Sequence, residues 1–215
     1  MFQGFYEETT RFLWQLRLNN ERPWFLAHKQ TYLDCLYSPM KELGAALQER
    51  MLERYPRSGL NLRVARIYRD ARRVRDGRPY KDHLWLTLSD AVGSLNSVPV
   101  FYFEVAPEGY GYGMGYYQPR PALMAEYRKK ILEDPKKLER LARRLNRQSL
   151  FTLYGEEYKR PKGEVSPLLA PWFNRKTLAL SAEFPPDETF LSPELADRVA
   201  EGFAWLMPYY QYLPK

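Results

Sequence analysis

The 215 residues carry 33 Lys and Arg against 26 Asp and Glu, a formal charge of +7, with 45% hydrophobic and 15% aromatic residues. That balance excludes a disordered chain and calls for a sizeable aromatic core. No apolar run reaches the ~18–20 residues that span a bilayer. Glu7, Glu8, Arg11 and Arg17 interrupt Met1–Leu18 where a secretory leader would be apolar. The one cysteine, Cys35, excludes an internal disulfide and a cysteine-rich metal site, and its apolar setting reads as a packed thiol. A cytoplasmic protein with one domain, residues 1–215, is expected.

Phe5, Thr9, Phe12, Leu13 and Leu16 recur at helical spacing, and the stripe stops near Asn19-Asn20. A second helix opens at Pro23, whose fixed φ suits a first turn, and carries Trp24, His28 and Tyr32. Ser38-Pro39 reads as N-cap and first residue of a third helix, with Met40, Leu43, Leu47 and Met51 on its inner face.

From Leu60 the period changes to two. Leu62–Arg69, Leu84–Leu88, Val98–Val105 and Tyr110–Tyr117 read as strands. Asp76-Gly77 marks a turn, and Pro107-Glu108-Gly109 joins the last two strands as an antiparallel hairpin. Helical spacing returns with Leu123, Met124, Tyr127 and Ile131, and again after Asp134-Pro135 with Leu138, Leu141, Ala142 and Leu145. Leu150–Tyr158 is a fifth strand candidate, Ser166–Phe184 is expected to hold short helices, and Ser192-Pro193 caps a last helix that Pro208 should end or kink. The order predicts an α+β fold, a mostly antiparallel sheet of about four to five strands flanked by N-terminal and C-terminal helices.

The run Arg66-Ile67-Tyr68-Arg69-Asp70-Ala71-Arg72, followed by Asp76, Pro79-Tyr80-Lys81 and His83, resembles the signature of a bacterial family, domain of unknown function 2461. Asn19-Asn20, Trp24-Phe25, the glycine-rich hairpin and the last helix resemble other parts of it, so the resemblance covers nearly the whole chain. This chain has Arg73 where the family carries an aromatic residue, and Gly77 where it carries a lysine, with Arg78 next door. The resemblance implies a fold and the place of a site, and no activity.

Nine cations between Arg57 and Lys81 face only Asp70 and Asp76, a local charge of +7. Guanidiniums offer a planar fork that fits phosphate or carboxylate. Arg66, Arg69, Asp70, Arg72, Tyr80, Lys81, His83 and Glu104 are therefore the candidate ligand-binding residues. On a straight strand Arg66 and Arg69 point to opposite faces, so convergence requires a bend near Asp70. Structural ion pairing is the competing role for Arg66 and Asp70, and Glu104 on an apolar strand calls for a cationic partner or acts as a general base. The glycines of Gly109–Tyr116 share one face of a strand, which suits close helix packing or a ligand floor.

Three readings stay open. The first is a binder of a small phosphate- or carboxylate-bearing ligand, with enzymatic activity undecided. The second is nucleic-acid binding through the basic segments 57–81 and 128–147, the latter presenting Lys137, Arg140, Arg144 and Arg147. The third is a structural or protein-interaction role with the arginines in buried ion pairs. No motif calls for a cofactor, a metal or a membrane.

Overall fold

A computed structural model describes residues 1–70, 72, 76–90 and 98–215. Arg73 and Arg75 of the basic segment lie outside the described residues. Helix α1 (Glu7–Leu18) buries Thr9, Phe12, Leu13 and Leu16, the stripe its sequence predicts. Helix α2 (Arg22–Ala27) begins with Pro23 in its first turn and buries Phe25.

The next helix does not start at Ser38. Helix α3 (Lys29–Tyr32) passes through a π-helical turn, Leu33–Tyr37, into α4 (Ser38–Arg54). Ser38 is itself helical, with φ −65° and ψ −48°, so it is no N-cap. The reason lies in Pro39, which has no N–H for the carbonyl four residues back and whose ring crowds that carbonyl. That carbonyl belongs to Cys35. The wider π turn accommodates the proline, and the Thr9 hydroxyl donates to the Cys35 oxygen at 2.6 Å. Thr9 Oγ1 also accepts the Tyr6 N–H at 3.1 Å, so one buried hydroxyl serves two backbone groups. Cys35 is buried, and burial pushes its thiol up to about 12, in keeping with a packed side chain.

Among the described residues six strands form one antiparallel sheet in the order β1-β2-β3-β4-β6-β5, flanked by helices. They are β1 (Asn61–Val64), β2 (Leu84–Ser89), β3 (Pro99–Ala106), β4 (Gly109–Tyr116), β5 (Thr152–Tyr154) and β6 (Ala179–Phe184). The sixth strand is the addition to the sequence reading. Within Ser166–Phe184 only α7 (Ala170–Phe173) is helical, and β6 pairs with β5 from Thr152↔Ser181 to Tyr154↔Ala179. The helix-favouring Ala, Leu and Glu of β6 yield to tertiary pairing, because Leu180 and Ala182 are buried there.

Helices α5 (Pro121–Glu133) and α6 (Pro135–Leu145) follow the hairpin, and α8 (Glu194–Tyr212) closes the chain. Pro208 does not end α8. It is exposed, and the buried Tyr209, Tyr210 and Tyr212 carry the helix a further turn.

The chain forms two compact units. The first comprises Met1–Leu88, Tyr102–Tyr112 and Glu183–Glu201. At its centre Phe5 stacks between Phe103 and Phe190, with centroids 5.9 and 4.8 Å away. The second comprises Ser89–Phe101, Gly113–Ala182 and Gly202–Lys215. There Phe101 stacks on Tyr210 at 4.6 Å and meets Phe203 at 5.0 Å. Among the described residues no helix is long and apolar enough to cross a membrane.

Candidate functional site

The predicted basic cluster folds as a narrow arm in the first unit. After β1 the chain leaves the sheet, and residues 66–70 pair with residues 78–81. Arg69 N–H donates to Pro79 O, and Lys81 N–H to Ile67 O, each at 2.8 Å. Tyr68 and Tyr80 form an antiparallel bridge in this arm. Two supports hold it. Tyr80 is buried against Phe25, with ring centroids 4.1 Å apart. The Asn20 side chain accepts from Tyr80 N at 3.0 Å and donates to Tyr80 O at 3.1 Å, imitating a neighbouring strand.

Among the described residues of the arm, Arg69 and Arg72 turn to separate carboxylates. The Arg69 guanidinium turns to Asp76, with bonds of 2.8 and 2.9 Å, and to the Arg78 carbonyl. Arg72 makes a fork onto Asp70, with both contacts at 3.1 Å, and its side chain is otherwise exposed. Lys81 donates to the Arg66 carbonyl and lies over the Trp85 ring at 4.4 Å. Burial, with Arg66 as a like-charged neighbour, holds the Lys81 ammonium below the usual lysine range. Arg66 is exposed and makes no ion pair among the described residues.

His83 and Glu104 belong to a different place. His83 Nδ1 lies 3.0 Å from Asp82 Oδ1, and its ring stacks on Trp85 at 5.4 Å. Arg17, from the last turn of α1, ties Asp82 at 2.5 Å and Glu108 at 2.5 and 3.2 Å. Burial opposes ionisation of Asp82, but the bonds from Arg17 and His83 prevail and hold its carboxyl below the ordinary range.

Beside this network opens a cleft of ≈ 560 Å³, a volume within the ordinary range for small-molecule sites. Tyr102, Glu104 and Ala106 of β3 form one wall, since alternate residues of a strand share a face, while Phe101, Phe103 and Val105 fill the core behind. Glu108, Gly109, Tyr110 and Gly111 form the second, and Glu183, Phe184 and Pro185 the third. No lysine or arginine lines it among the described residues.

The glycines of β4 explain how these walls come together. Gly109 has φ +151°, and a Cβ there would fall 2.1 Å from the Phe184 carbonyl oxygen. At Gly115, in the second unit, a Cβ would fall 2.4 Å from the Leu178 oxygen. At those two positions the missing Cβ lets β4 lie close to the backbone at the two ends of β6, its neighbour in the sheet, and Gly111 lines the cleft.

Glu104 makes no ion pair among the described residues, so none of the signature arginines is its partner. Burial pushes its carboxyl above the ordinary range. His83 opposes the rise, and Glu183 and Asp82 add to it. Glu108 differs, because the Arg17 fork holds its carboxyl low. At the end of the cleft the Tyr110 hydroxyl meets Asp187 at 3.1 Å, and Arg198 donates to that hydroxyl at 2.5 Å and to Asp187 at 2.7 Å. The site thus offers a protonatable Glu104, the exposed carboxylate of Glu183, a phenol and the aromatic surfaces of Tyr102 and Phe184.

The sequence reading placed Glu104 and His83 among its candidates and missed Arg17, Asp82, Glu108, Tyr110, Glu183, Asp187 and Arg198. Glu183 carried one legible signal, a lone charge beside alternating Leu178, Leu180 and Ala182. Among the described residues no cluster of three or more His, Cys, Asp or Glu could hold a metal ion.

Fold and site together define an α+β protein with a carboxylate-lined cleft beside a histidine–aspartate pair. The chain belongs to the family described as conserved hypothetical protein DUF2461, whose family model matches residues 8–212. No curated protein matches it.

Proposed function

We propose that the cleft binds a small ligand bearing an amine, with Glu104 and Glu183 as its counter-charges and Glu104 as a proton carrier. The carrying observation is the charge of the lining. Glu104, Glu108 and Glu183 line a cleft that among the described residues has no lining cation, in a protein whose net charge is +7. Of these three Arg17 pairs with Glu108, so an ammonium group would find two carboxylates without ion-pair partners among the described residues and aromatic surface beside them. A carboxyl whose pKa burial raises is suited to exchange a proton with such a ligand.

The test is thermal unfolding of the wild type and a Glu104→Gln/Glu183→Gln double variant against mono-, di- and polyamines, neutral polyols and phosphates. A ligand at a hundred times its Kd stabilises a fold by about 2.7 kcal/mol. An upward shift with amines that the double variant loses is the expected result. No shift with any amine, or the same shift in both proteins, would overturn the reading.

One observation favours a second reading, the small anion expected from the sequence. Arg66 and Lys81 crowd each other, and a phosphate or carboxylate between them would relieve that repulsion. This reading predicts a phosphate-induced shift that Arg66→Gln abolishes.

A further inference from the structure

The second unit holds sixteen Lys and Arg against eight Asp and Glu. Three of its cations gather around one ring. Lys162 Nζ lies 4.4 Å from the centroid of Tyr158, the Arg128 guanidinium 5.4 Å and Lys176 Nζ 5.9 Å. The ring attracts each cation, yet the cations repel one another. Among the described residues one carboxylate answers them, Glu156 at 3.5 Å from Lys176. Arg128 and Lys162 make no ion pair among the described residues.

A second and independent feature is the Arg128 Nη1 group, which is buried and has no hydrogen-bond acceptor among the described residues. A charged donor left this way costs more than a neutral one, and buried donors in folded proteins almost always have partners. The segment that presents the lysines is fixed in advance. Asn174 accepts the Tyr158 N–H on its carbonyl and the Lys162 N–H on its side-chain oxygen, each at 2.9 Å. Lys176 N–H donates to Glu156 O at 2.6 Å, and Glu157 bridges Arg175. Cations held on such a frame lose little freedom on binding.

We infer that Arg128, Lys162 and Lys176, gathered on the Tyr158 ring, form a binding site for a phosphate group. An anionic oxygen would supply the acceptor that Arg128 Nη1 lacks and offset the repulsion among three cations. The site shares no residue with the carboxylate-lined cleft or with the arm of residues 66–81. Its phosphate belongs to a small ligand or to a nucleic-acid backbone, the source anticipated for the basic stretch 128–147.

The test uses the full chain and a Lys162→Gln/Lys176→Gln double variant, both positions being exposed. Phosphorus NMR follows inorganic phosphate, and fluorescence anisotropy follows a labelled single-stranded RNA, both at controlled ionic strength. The double variant is expected to bind roughly tenfold more weakly, the worth of one charge-assisted hydrogen bond. Arg128→Gln, tested alongside, is expected to weaken binding without altering the surface lysines. Supporting results then separate by source. RNA affinity that falls with salt by about 0.7 log units per log unit for each phosphate contacted assigns a nucleic acid. Equal affinity for phosphate and RNA assigns a small ligand. Wild type that binds neither probe, or binding unchanged in the double variant, would overturn the inference.

Discussion

The two units handle their cations in different ways. In the first, seventeen Lys and Arg meet eighteen Asp and Glu, and Arg17, Arg50, Arg54, Arg69, Arg72 and Arg198 each hold a carboxylate. In the second, cations outnumber carboxylates two to one, and rings take up part of the surplus. Arg144 lies over Trp205 at 4.3 Å and Lys130 over Tyr212 at 4.9 Å. The most basic stretch of sequence, residues 57–81, therefore sits in the unit whose charge is nearly balanced. Local charge density along a chain measures how many partners a segment needs, and the fold decides whether it finds them.

The contrast predicts what supports the signature arm. Phe25→Ala removes the ring on which Tyr80 stacks and should cost about 3–5 kcal/mol, read as a fall in melting temperature. A loss no larger than that of the arginine variants below would break the claim that the arm is held by aromatic burial. Thr9→Val leaves the Cys35 carbonyl and the Tyr6 N–H without their side-chain partner. Denaturant unfolding should show a loss of about 1–3 kcal/mol, with Thr9→Ser closer to wild type.

Glu104→Gln should act with a definite sign. Burial raises the folded carboxyl above its unfolded value, so the wild type loses stability as pH rises from the ordinary carboxylate range through the folded value. The glutamine variant should melt higher than wild type at about pH 8 and alike at about pH 3, where the carboxyl is protonated in both states. A variant that melts lower at the higher pH would show that Glu104 has a stabilising partner. The smallest effects belong to Arg69→Ala and Arg72→Ala. Their pairs are partly or largely exposed, and each should cost at most about 1 kcal/mol.

Much of the fold was legible because its signals are local. The stripe of α1, the apolar face of α4 and the Pro107-Glu108-Gly109 turn depend on residues that are near one another in sequence. Strand β6 was not legible, since Ala179, Leu180 and Glu183 favour helix until its place between β4 and β5 in the sheet is known. The continuous α3–α4 helix was hidden for a related reason. Ser38-Pro39 has the composition of a helix start, and the group that lets the helix pass through it is Thr9, from another helix. The site divided along the same line. Glu104 and His83 could be suspected one at a time, but Glu108 and Glu183 reach the cleft from separate strand ends, and Arg17 reaches the network from α1. The signature arginines drew attention as a cluster, while strand alternation separates Arg66 from Arg69 unless the chain bends near Asp70.

Calorimetric titration of a diamine into the full chain, at about pH 5 and in two buffers of different protonation enthalpy, addresses the cleft most directly. An ammonium bound beside Glu104 lowers the pKa of that carboxyl, so binding should release protons. The account predicts binding with proton release in the wild type and loss of that release in Glu104→Gln. Binding without proton release, or no binding at all, would contradict it.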